Sequence, residues 1–382
     1  MSELMLLDLT DDQEFFRETT ARFLDEQVPT AELRRRRDDP AGFDPSYWQR
    51  GADLGWTSLL VGEEDGGGTI SGHGVIDLTL VAYEFGRHGA PGPLVPTNIV
   101  AAALGTAGGE AQASVLADLL SGASIATWCY EEPGRRPLGE VSLDIRVDGD
   151  HIVLDGVKRP VESAAQAHHL LVTGRTDGGL TQALVPASAP GVSVTPLRTV
   201  DLTRRFCSVR FDGVRLPIEA VIGEVGGAAG EAERQLELAV ALHCAETVGA
   251  MQQGFDMTVD WAFDRYSFGR PLASYQALKH RFADMKTWLE AGHAVSDGAA
   301  AAADARTADA GELASAAKAF LGDYGTELLQ DCVQLHGGIG LTFEHDLHVF
   351  LRRVTLNRVL FGTPGDHRQR LARHVELREA VA

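Results

Sequence analysis

The sequence has no apolar run long enough to cross a bilayer and no stretch that resembles a secretory signal. Cysteine is scarce, and its positions lack the spacing of a metal site or a disulfide framework: they are Cys129, Cys207, Cys244 and Cys332. Positive charge is outnumbered, because the net charge is −20 at pH 7. We therefore expect a cytoplasmic protein with no metal, no nucleic-acid partner and no membrane insertion.

The periodicity of the apolar residues changes twice along the 382 residues. Helical spacing comes first, with Asp11 as the expected N-cap. From Ser124 short β-branched runs alternate with Asp-Gly turns, and helical spacing returns from Gly230. This order predicts an α+β protein with an N-terminal all-α domain (1–123), a middle antiparallel, barrel-like β domain (124–222) and a C-terminal α-helical domain (223–382).

The segment Trp261–Met285 brings a guanidinium, an aromatic ring and an amide together between two predicted helices. The first helix is predicted to end with Arg265 in its last turn, because the Gly and Pro within 267–271 cannot continue it. The second is predicted to begin near Ser274 as N-cap, with Gln276 in its first turn. Such a loop suits an anionic dinucleotide, since a guanidinium binds pyrophosphate oxygens in a fork. The alternative is a plain helix–helix turn in which the arginine pairs with a carboxylate.

Two motifs give this chain a family resemblance. RYSFGRPLASYQALKHRFADM, residues 265–285, resembles the FAD-contacting segment of acyl-CoA dehydrogenases, and QLHGGIG, residues 334–340, resembles the second dinucleotide segment of that family. The resemblance spans almost the whole chain and implies the family's fold. In the family, these segments reach across a dimer interface to the ADP half of the neighbouring subunit's FAD. The resemblance assigns this role to Arg265, Ser267, Phe268, Gln276, Gln334, Gly337 and Gly338.

The resemblance also indicates which residue type the catalytic base should be and where it should lie. Acyl-CoA dehydrogenases remove an α-proton with a Glu in an apolar pocket while hydride leaves the β-carbon for the flavin. The family places this Glu at one of two positions, which hold Phe361 and the pair Ala239–Val240 here. None of these side chains takes a proton, so we expect no catalytic residue in this chain. Glu233 is the alternative base, and an insertion in its helix would be needed to bring it to the flavin.

The positions that face the flavin in the family are altered as well. Glu131 replaces a Thr in the family's Thr-Glu-Pro contact, and Gly134–Pro137 lacks the Gly-Ser-Asp that meets the pyrophosphate. Pro160 replaces a stacking Trp, and Glu162 replaces the Thr that bonds near flavin N5. The resemblance therefore implies that this chain has lost its own flavin-ring site. We expect Glu131 and Glu162 to be solvated or interface acids.

The chain keeps the residues that the family uses to contact the neighbouring subunit's FAD, but it lacks those that would bind its own flavin ring and remove the proton. This combination is expected in a heteromer. We expect a subunit of a FAD-dependent acyl-CoA dehydrogenase, similar to the α2β2 enzymes of bacterial steroid side-chain degradation, whose paralogous catalytic partner binds most of the acyl-CoA. The resemblance implies an electron-transfer flavoprotein as acceptor. Two alternatives stay open: a self-sufficient homomeric flavoenzyme with a relocated base, and a non-enzymatic scaffold without FAD.

A further motif, TFEHD at residues 342–346 with LRR at residues 351–353, is similar to the same bacterial branch. Its acids, Glu344 and Asp346, are candidates for acid–base chemistry. Their position after the Gly-Gly turn favours structural pairing with Arg352 or Arg353.

Overall fold

The computed structural model describes residues 9–134 and 138–381, without the side chains of residues 377–381. Its first helix begins after Thr10, whose hydroxyl accepts the N–H of Gln13 at 3.3 Å while the Gln13 side chain accepts the N–H of Thr10 at 3.1 Å. The prediction of Asp11 as the N-cap is wrong, because this reciprocal pair places Asp11 in the first turn. The helices of the first part are α1 (Asp11–Gln27), α2 (Thr30–Arg35), α3 (Pro45–Asp53), α4 (Gly74–His88), α5 (Leu94–Ala107) and α6 (Ala113–Leu120).

The middle part is a single sheet around its own apolar core, to which Leu154, Val209 and Phe211 belong. Its strands are β1 (Ala126–Cys129), β2 (Asp144–Asp148), β3 (His151–Glu162), β4 (His169–Thr176), β5 (Gly179–Pro186), β6 (Val192–Leu197), β7 (Phe206–Pro217) and β8 (Val221–Ile222). The strand order is β6-β7-β3-β2-β4-β5-β8, with β1 beside β4. All pairings are antiparallel except β1–β4 and β2–β4.

Sequence patterns did not indicate β5 or β6. Strand β6 lies at one end of the strand order and contains Pro196, which a central strand would not accommodate. None of its side chains is fully buried, so it has no alternating apolar pattern to recognise.

The last part is helical, apart from a short hairpin. Its elements are α7 (Ala229–Asp264), β9 (Tyr266–Ser267), β10 (Arg270–Pro271), α8 (Gln276–Ala305), α9 (Ala310–His336), α10 (Leu347–Asn357) and α11 (Pro364–Val381). Helix α7, with 36 residues, packs against α4, α8, α9 and α10. It approaches α4 so closely that a Cβ at Gly86 would lie 1.9 Å from the Glu246 carbonyl oxygen, and one at Gly249 would lie 2.0 Å from that of Tyr83. Glycine is therefore required at this crossing.

The order of helical, β and helical parts confirms the predicted α+β class. The domain boundaries that we propose, after residues 123 and 222, lie in the connections α6–β1 and β8–α7. Across residues 9–134 and 138–381, no helix combines the length and hydropathy needed to cross a membrane.

Arg353 on α10 joins all three parts. Its side chain is completely buried. It donates to Asp201 of the middle part at 2.6 Å, to Glu246 of α7 at 2.6 Å, and to the carbonyl of Ala90 in the first part at 3.0 Å. All three parts of the chain therefore meet at one guanidinium.

The predicted pairing of Glu344 or Asp346 with Arg352 or Arg353 is wrong. Asp346 pairs with Arg34 of α2 instead. Arg353 points into the interior, where Asp201 and Glu246 satisfy it, and Arg352 donates to the Val200 carbonyl at 3.0 Å. Arg352 and Arg353 are neighbours on α10 but point in different directions, so they contact different partners.

Replacing Arg353 should destabilise the chain strongly. Arg353→Met leaves the carboxylates of Asp201 and Glu246 buried without their main counter-charge, which costs about 3–5 kcal/mol. Urea-induced unfolding of the purified chain measures this loss. The neighbouring Arg352→Met is the matched control and should cost about 1 kcal/mol or less, since only one carbonyl contact is removed. Equal losses in the two variants would contradict the role of Arg353.

Candidate functional site

The connection between α10 and α11 contains Phe361, the residue at the first expected base position. Its backbone is left-handed, with φ of 54°, a conformation that bulky L-residues rarely adopt. Glu131 Oε1 accepts the Phe361 N–H at 3.2 Å, and His367 Nε2 donates to the Phe361 carbonyl at 2.9 Å. The buried Lys318 donates to the carbonyl of Leu360 at 2.8 Å. Side chains from three elements therefore hold this conformation.

The ring of Phe361 lies inside a stack of four rings. Trp128 stacks on Tyr130 with a centroid distance of 4.4 Å and on Phe361 with 5.6 Å. Phe361 stacks in turn on His243 of α7 at 5.4 Å. Burial lowers the pKa of His243 well below its usual value, so this imidazole is neutral and packs as an aromatic ring. The stack encloses the Phe361 ring on both faces, and a cavity of about 200 Å³ lined by Tyr130, Glu131 and Gly362 lies beside it.

The second expected base position lies within α7. Ala239 and Val240 are both buried there, at 0% and 1% exposure. The alternative base, Glu233, lies near the start of the same helix, and its side chain is 47% exposed. It forms an ion pair with Arg370 of α11. Glu233 is therefore held at the surface by its ion pair with Arg370.

Glu162 takes part in a buried ion pair. Its side chain is 9% exposed, and Arg204 Nε donates to it at 2.7 Å. Arg204 also donates to Asn357 at 2.8 Å and to Glu246 at 3.3 Å. The expectation that Glu162 is a solvated or interface acid is wrong, because the fold brings Arg204 to it from 42 residues away.

Glu131 differs from a solvated acid too. Burial raises the pKa of Glu131 to about 7, although Lys318 and the Phe361 N–H both act to lower it. Glu131 is partly exposed and lines a cavity, so it is not a fully solvated acid, and its place at an interface stays a prediction. The neighbouring loop 135–137, which was expected to lack the family's pyrophosphate contact, lies outside the described residues.

Arg265 lies just past the end of α7, which was predicted to include it. The helix ends at Asp264, and Arg265 has extended backbone angles. The β9–β10 hairpin follows, and its central residues Phe268 and Gly269 both have positive φ, 50° and 81°, as a type I′ turn requires. Phe268 at the tip is 97% exposed.

The start of α8 also differs from the prediction. The N-cap is Tyr275 instead of Ser274, and the Ser274 hydroxyl donates to the carbonyl of Pro271 at 2.7 Å. The Tyr275 hydroxyl donates to the carbonyl of Ser267 at 2.7 Å. Because Tyr275 ties the hairpin to α8, the first residue of this helix, Gln276, lies next to the hairpin.

The second motif lies at the same end of the molecule. Helices α8 and α9 pack together, and an ion pair between Arg281 and Asp331 joins the start of α8 to the end of α9. Gln334 is in the last turn of α9, and Gly337 follows with φ of 68°. The structure therefore brings the two predicted segments together. Arg265, Phe268, Gln276, Gln334, Gly337 and Gly338 are exposed, and Ser267 is partly exposed.

Comparison with known proteins identifies the family. Residues 10–123 match "Acyl-CoA dehydrogenase, N-terminal domain", and residues 229–376 match "Acyl-CoA dehydrogenase, C-terminal domain". The chain belongs to the acyl-CoA dehydrogenase family. Members of this family are oxidoreductases that act on acyl-CoA thioesters.

Individual relatives cover nearly the whole chain. Acyl-CoA dehydrogenase IpdE2 of Mycolicibacterium smegmatis is 28% identical over 368 residues, which are 96% of this chain and 100% of that protein. A chain of the Tcur3481-Tcur3483 steroid ACAD is 26% identical, with a TM-score of 0.88 and coverage of 97% of this chain and 99% of that one. Butyryl-CoA dehydrogenase of Megasphaera elsdenii shares the fold at 22% identity, with a TM-score of 0.88 over 97% and 99% of the two chains.

Sequence reasoning missed several side chains of this acyl-CoA dehydrogenase's cleft. Trp128 and Tyr130 alternate with Cys129 immediately before Glu131, so strand periodicity could have placed both rings on one face. Nothing local marks Arg204 or Lys318 as partners of the cleft, since their contacts are distant in sequence. No group of three or more His, Cys, Asp or Glu side chains suited to a metal occurs in the described part of the chain.

The pKa of Glu131 predicts an unusual pH dependence of stability. The folded-state value of about 7 lies above the ordinary 4.5, so ionisation of this carboxyl opposes folding as the pH rises through that interval. Glu131→Gln keeps an acceptor for the Phe361 N–H and removes the penalty. The variant should be more stable than the natural chain at pH 8, on the order of 3 kcal/mol, and equally stable near pH 4.5. Thermal unfolding at the two pH values measures the difference.

The adjacent Glu132 provides a control, because its pKa is shifted in the opposite direction. Burial acts to raise the pKa of Glu132, but the Lys158 ammonium at 2.8 Å and hydrogen bonds from Ser142 and Leu143 outweigh it and lower the value to about 2. Its ionisation therefore supports folding above pH 4.5. Glu132→Gln should destabilise the chain at pH 8, and stabilisation by both variants would refute the assignment.

Proposed function

We propose that this chain is the non-catalytic subunit of a heteromeric, FAD-dependent acyl-CoA dehydrogenase and that it completes the FAD site of a catalytic partner. Phe361 carries the proposal, because its stacked ring stands where the family has its catalytic Glu. A phenyl ring cannot accept the α-proton of an acyl-CoA. The paralogous partner supplies the base and binds most of the acyl-CoA.

The cleft of this chain does not fit a flavin ring. Stacked rings cover both faces of Phe361, and the adjacent cavity, about 200 Å³ in volume, is lined by the acids Glu131, Glu132, Glu140 and Asp366. The buried pair of Arg204 and Glu162 occupies the position that would bond near flavin N5. A carboxylate at Glu131 would add negative charge beside a ring that has to accept electrons. We therefore assign no reaction step to this cleft.

The hairpin end, in contrast, fits the ADP half of FAD. The Arg265 guanidinium suits pyrophosphate oxygens, and the amides of Gln276 and Gln334 offer further hydrogen bonds. The exposed ring of Phe268 at the hairpin tip presents an apolar surface that a docked subunit would cover. When bound in the partner, FAD accepts the hydride from the β-carbon of the acyl-CoA, and the residues of this chain bind and orient its ADP half.

The relatives support a particular assembly and substrate class for this role. Similarity to the Tcur3481-Tcur3483 steroid ACAD, which is named for two proteins, supports an assembly with a second kind of subunit, and the family resemblance favours an α2β2 arrangement of two paralogues. It also supports a bulky acyl-CoA, such as a steroid side chain, as the substrate. By family resemblance, an electron-transfer flavoprotein is the acceptor, and the assembly works in the cytoplasm.

Flavin stoichiometry tests the proposal. The chain purified alone should carry no FAD, because its own cleft holds acids and a buried ion pair where a flavin ring would bind, and the chain purified with its paralogous partner should carry one FAD per pair. Absorbance of the bound flavin, divided by protein concentration, measures both. One FAD per chain in the lone protein would instead favour a self-sufficient flavoenzyme with a relocated base. Absence of FAD from both preparations would favour the scaffold.

Arg265 provides the mutational test. Arg265→Ala should weaken FAD binding by the complex, since one charge-assisted hydrogen bond to phosphate contributes roughly 1.5–3 kcal/mol, or about 10- to 150-fold in affinity. The measurement is FAD retention during dialysis, followed by fluorescence titration. Arg306→Ala is the control, because this exposed arginine lies at the opposite end of α8, about 45 Å along the helix. Equal retention in both variants would refute a cross-subunit role for Arg265.

A further inference from the structure

Two aromatic side chains lie between the two nucleotide segments. Trp261 is in the last turn of α7, four residues before Arg265, and His336 is the last residue of α9, directly before Gly337. Their rings stack with a centroid distance of 5.2 Å and an interplanar angle of 18°. The pair is therefore a direct contact between the end of one segment's helix and the end of the other's.

The guanidinium of Arg265 continues this stack. Its Cζ lies 5.8 Å from the centroid of the Trp261 ring, within the range of a cation–π contact. The chain has turned into an extended conformation at Arg265, so the side chain can lie back over the last helical turn. Within residues 9–134 and 138–381, the structure records no carboxylate paired with this guanidinium. The indole ring is its recorded side-chain contact.

His336 is held in one orientation. Its Nδ1 lies 2.8 Å from the carbonyl of Cys332, so this nitrogen carries the proton and donates. The ring of His345 meets it edge-on at 4.6 Å. Only 4% of His336 is exposed, and burial lowers its pKa, so the ring is neutral and stacks on Trp261 without repelling the nearby arginine.

We infer that the Trp261–His336 stack positions the Arg265 guanidinium relative to Gly337 and thereby makes one nucleotide site out of two segments. The inference rests on the proposed function and adds two positioning residues to it. A free arginine side chain loses much rotamer freedom when it binds a phosphate. Arg265 held over the indole ring has lost part of that freedom before the ligand arrives, and such preorganisation raises affinity.

A double-mutant cycle tests this role in the complex with the catalytic partner. Trp261→Leu should weaken FAD binding by roughly 2- to 30-fold when Arg265 is present, the range of a cation–π contact. The same substitution should have almost no effect in the Arg265→Ala background, because Trp261 acts through the arginine. The readout is the dissociation constant of FAD from fluorescence titration, which does not depend on turnover.

The outcomes separate the inference from the proposed function. An equal loss from Trp261→Leu in both backgrounds would mean that tryptophan only supports the fold, and the inference would be wrong. No loss from Arg265→Ala alone would overturn the proposed function and the inference with it. If Trp261→Leu fails to fold, Trp261→Phe replaces it in the cycle, and its smaller loss should again vanish in the Arg265→Ala background.

Trp288 supplies a matched control. It is also partly buried, packs against the tilted ring of Tyr324 with a centroid distance of 5.5 Å and an interplanar angle of 37°, and has the guanidinium of Arg281 over its ring at 5.0 Å. It lies about 18 Å along α8 from Gln276, beyond the segment 265–285, and Arg281, which lies within that segment, keeps its ion pair with Asp331 when Trp288 is replaced. Trp288→Leu should therefore leave FAD affinity unchanged. A loss equal to that of Trp261→Leu would show that affinity follows general packing of the helices, against the inference.

Discussion

One buried cation, the guanidinium of Arg353, sets the arrangement of the three parts of this protein. A guanidinium taken out of water is tolerated only when several acceptors meet it in good geometry. Its acceptors are Asp201 from the middle part, Glu246 from α7 and the carbonyl of Ala90 from the first part. Any arrangement that separated one of these regions would leave a charge buried without its partner. One continuous apolar core joins the first and last parts and provides most of the stabilisation, while this contact also ties the middle part to both of them.

The ion-pair network around Arg353 also extends to Glu162 in the cleft beside Phe361. Glu246 binds Arg353 with one carboxylate oxygen and Arg204 with the other, and Arg204 continues to Glu162. The acid that replaces the family's flavin-binding Thr is therefore part of the network that joins the parts. Restoring that single position would leave the charge of Arg204 partly uncompensated. The position of Glu162 is thus coupled by charge to the contact that joins the three parts.

Helix α7 separates the altered cleft from the intact nucleotide segment. His243, in the ring stack, and Arg265, at the hairpin, are 22 residues apart in this part of the chain, about 33 Å along the helix. At this separation substitutions in the cleft do not touch the hairpin, and their energetic effects are expected to be independent. Substitutions at one of these two places therefore need not alter the geometry of the other.

The sequence by itself determined the α+β class, the order of the three parts and the absence of a carboxylate at Phe361, Ala239 and Val240, because periodicity and residue identity are local properties. Only the tertiary structure decided that Glu131 accepts the Phe361 N–H, that Glu162 is enclosed with Arg204, and that Arg353 pairs with Asp201, 152 residues away. The same holds for the stack of Trp261 on His336, which joins the ends of α7 and α9. Burial and charge pairing depend on which distant segments pack together, and local patterns carry no information about those neighbours.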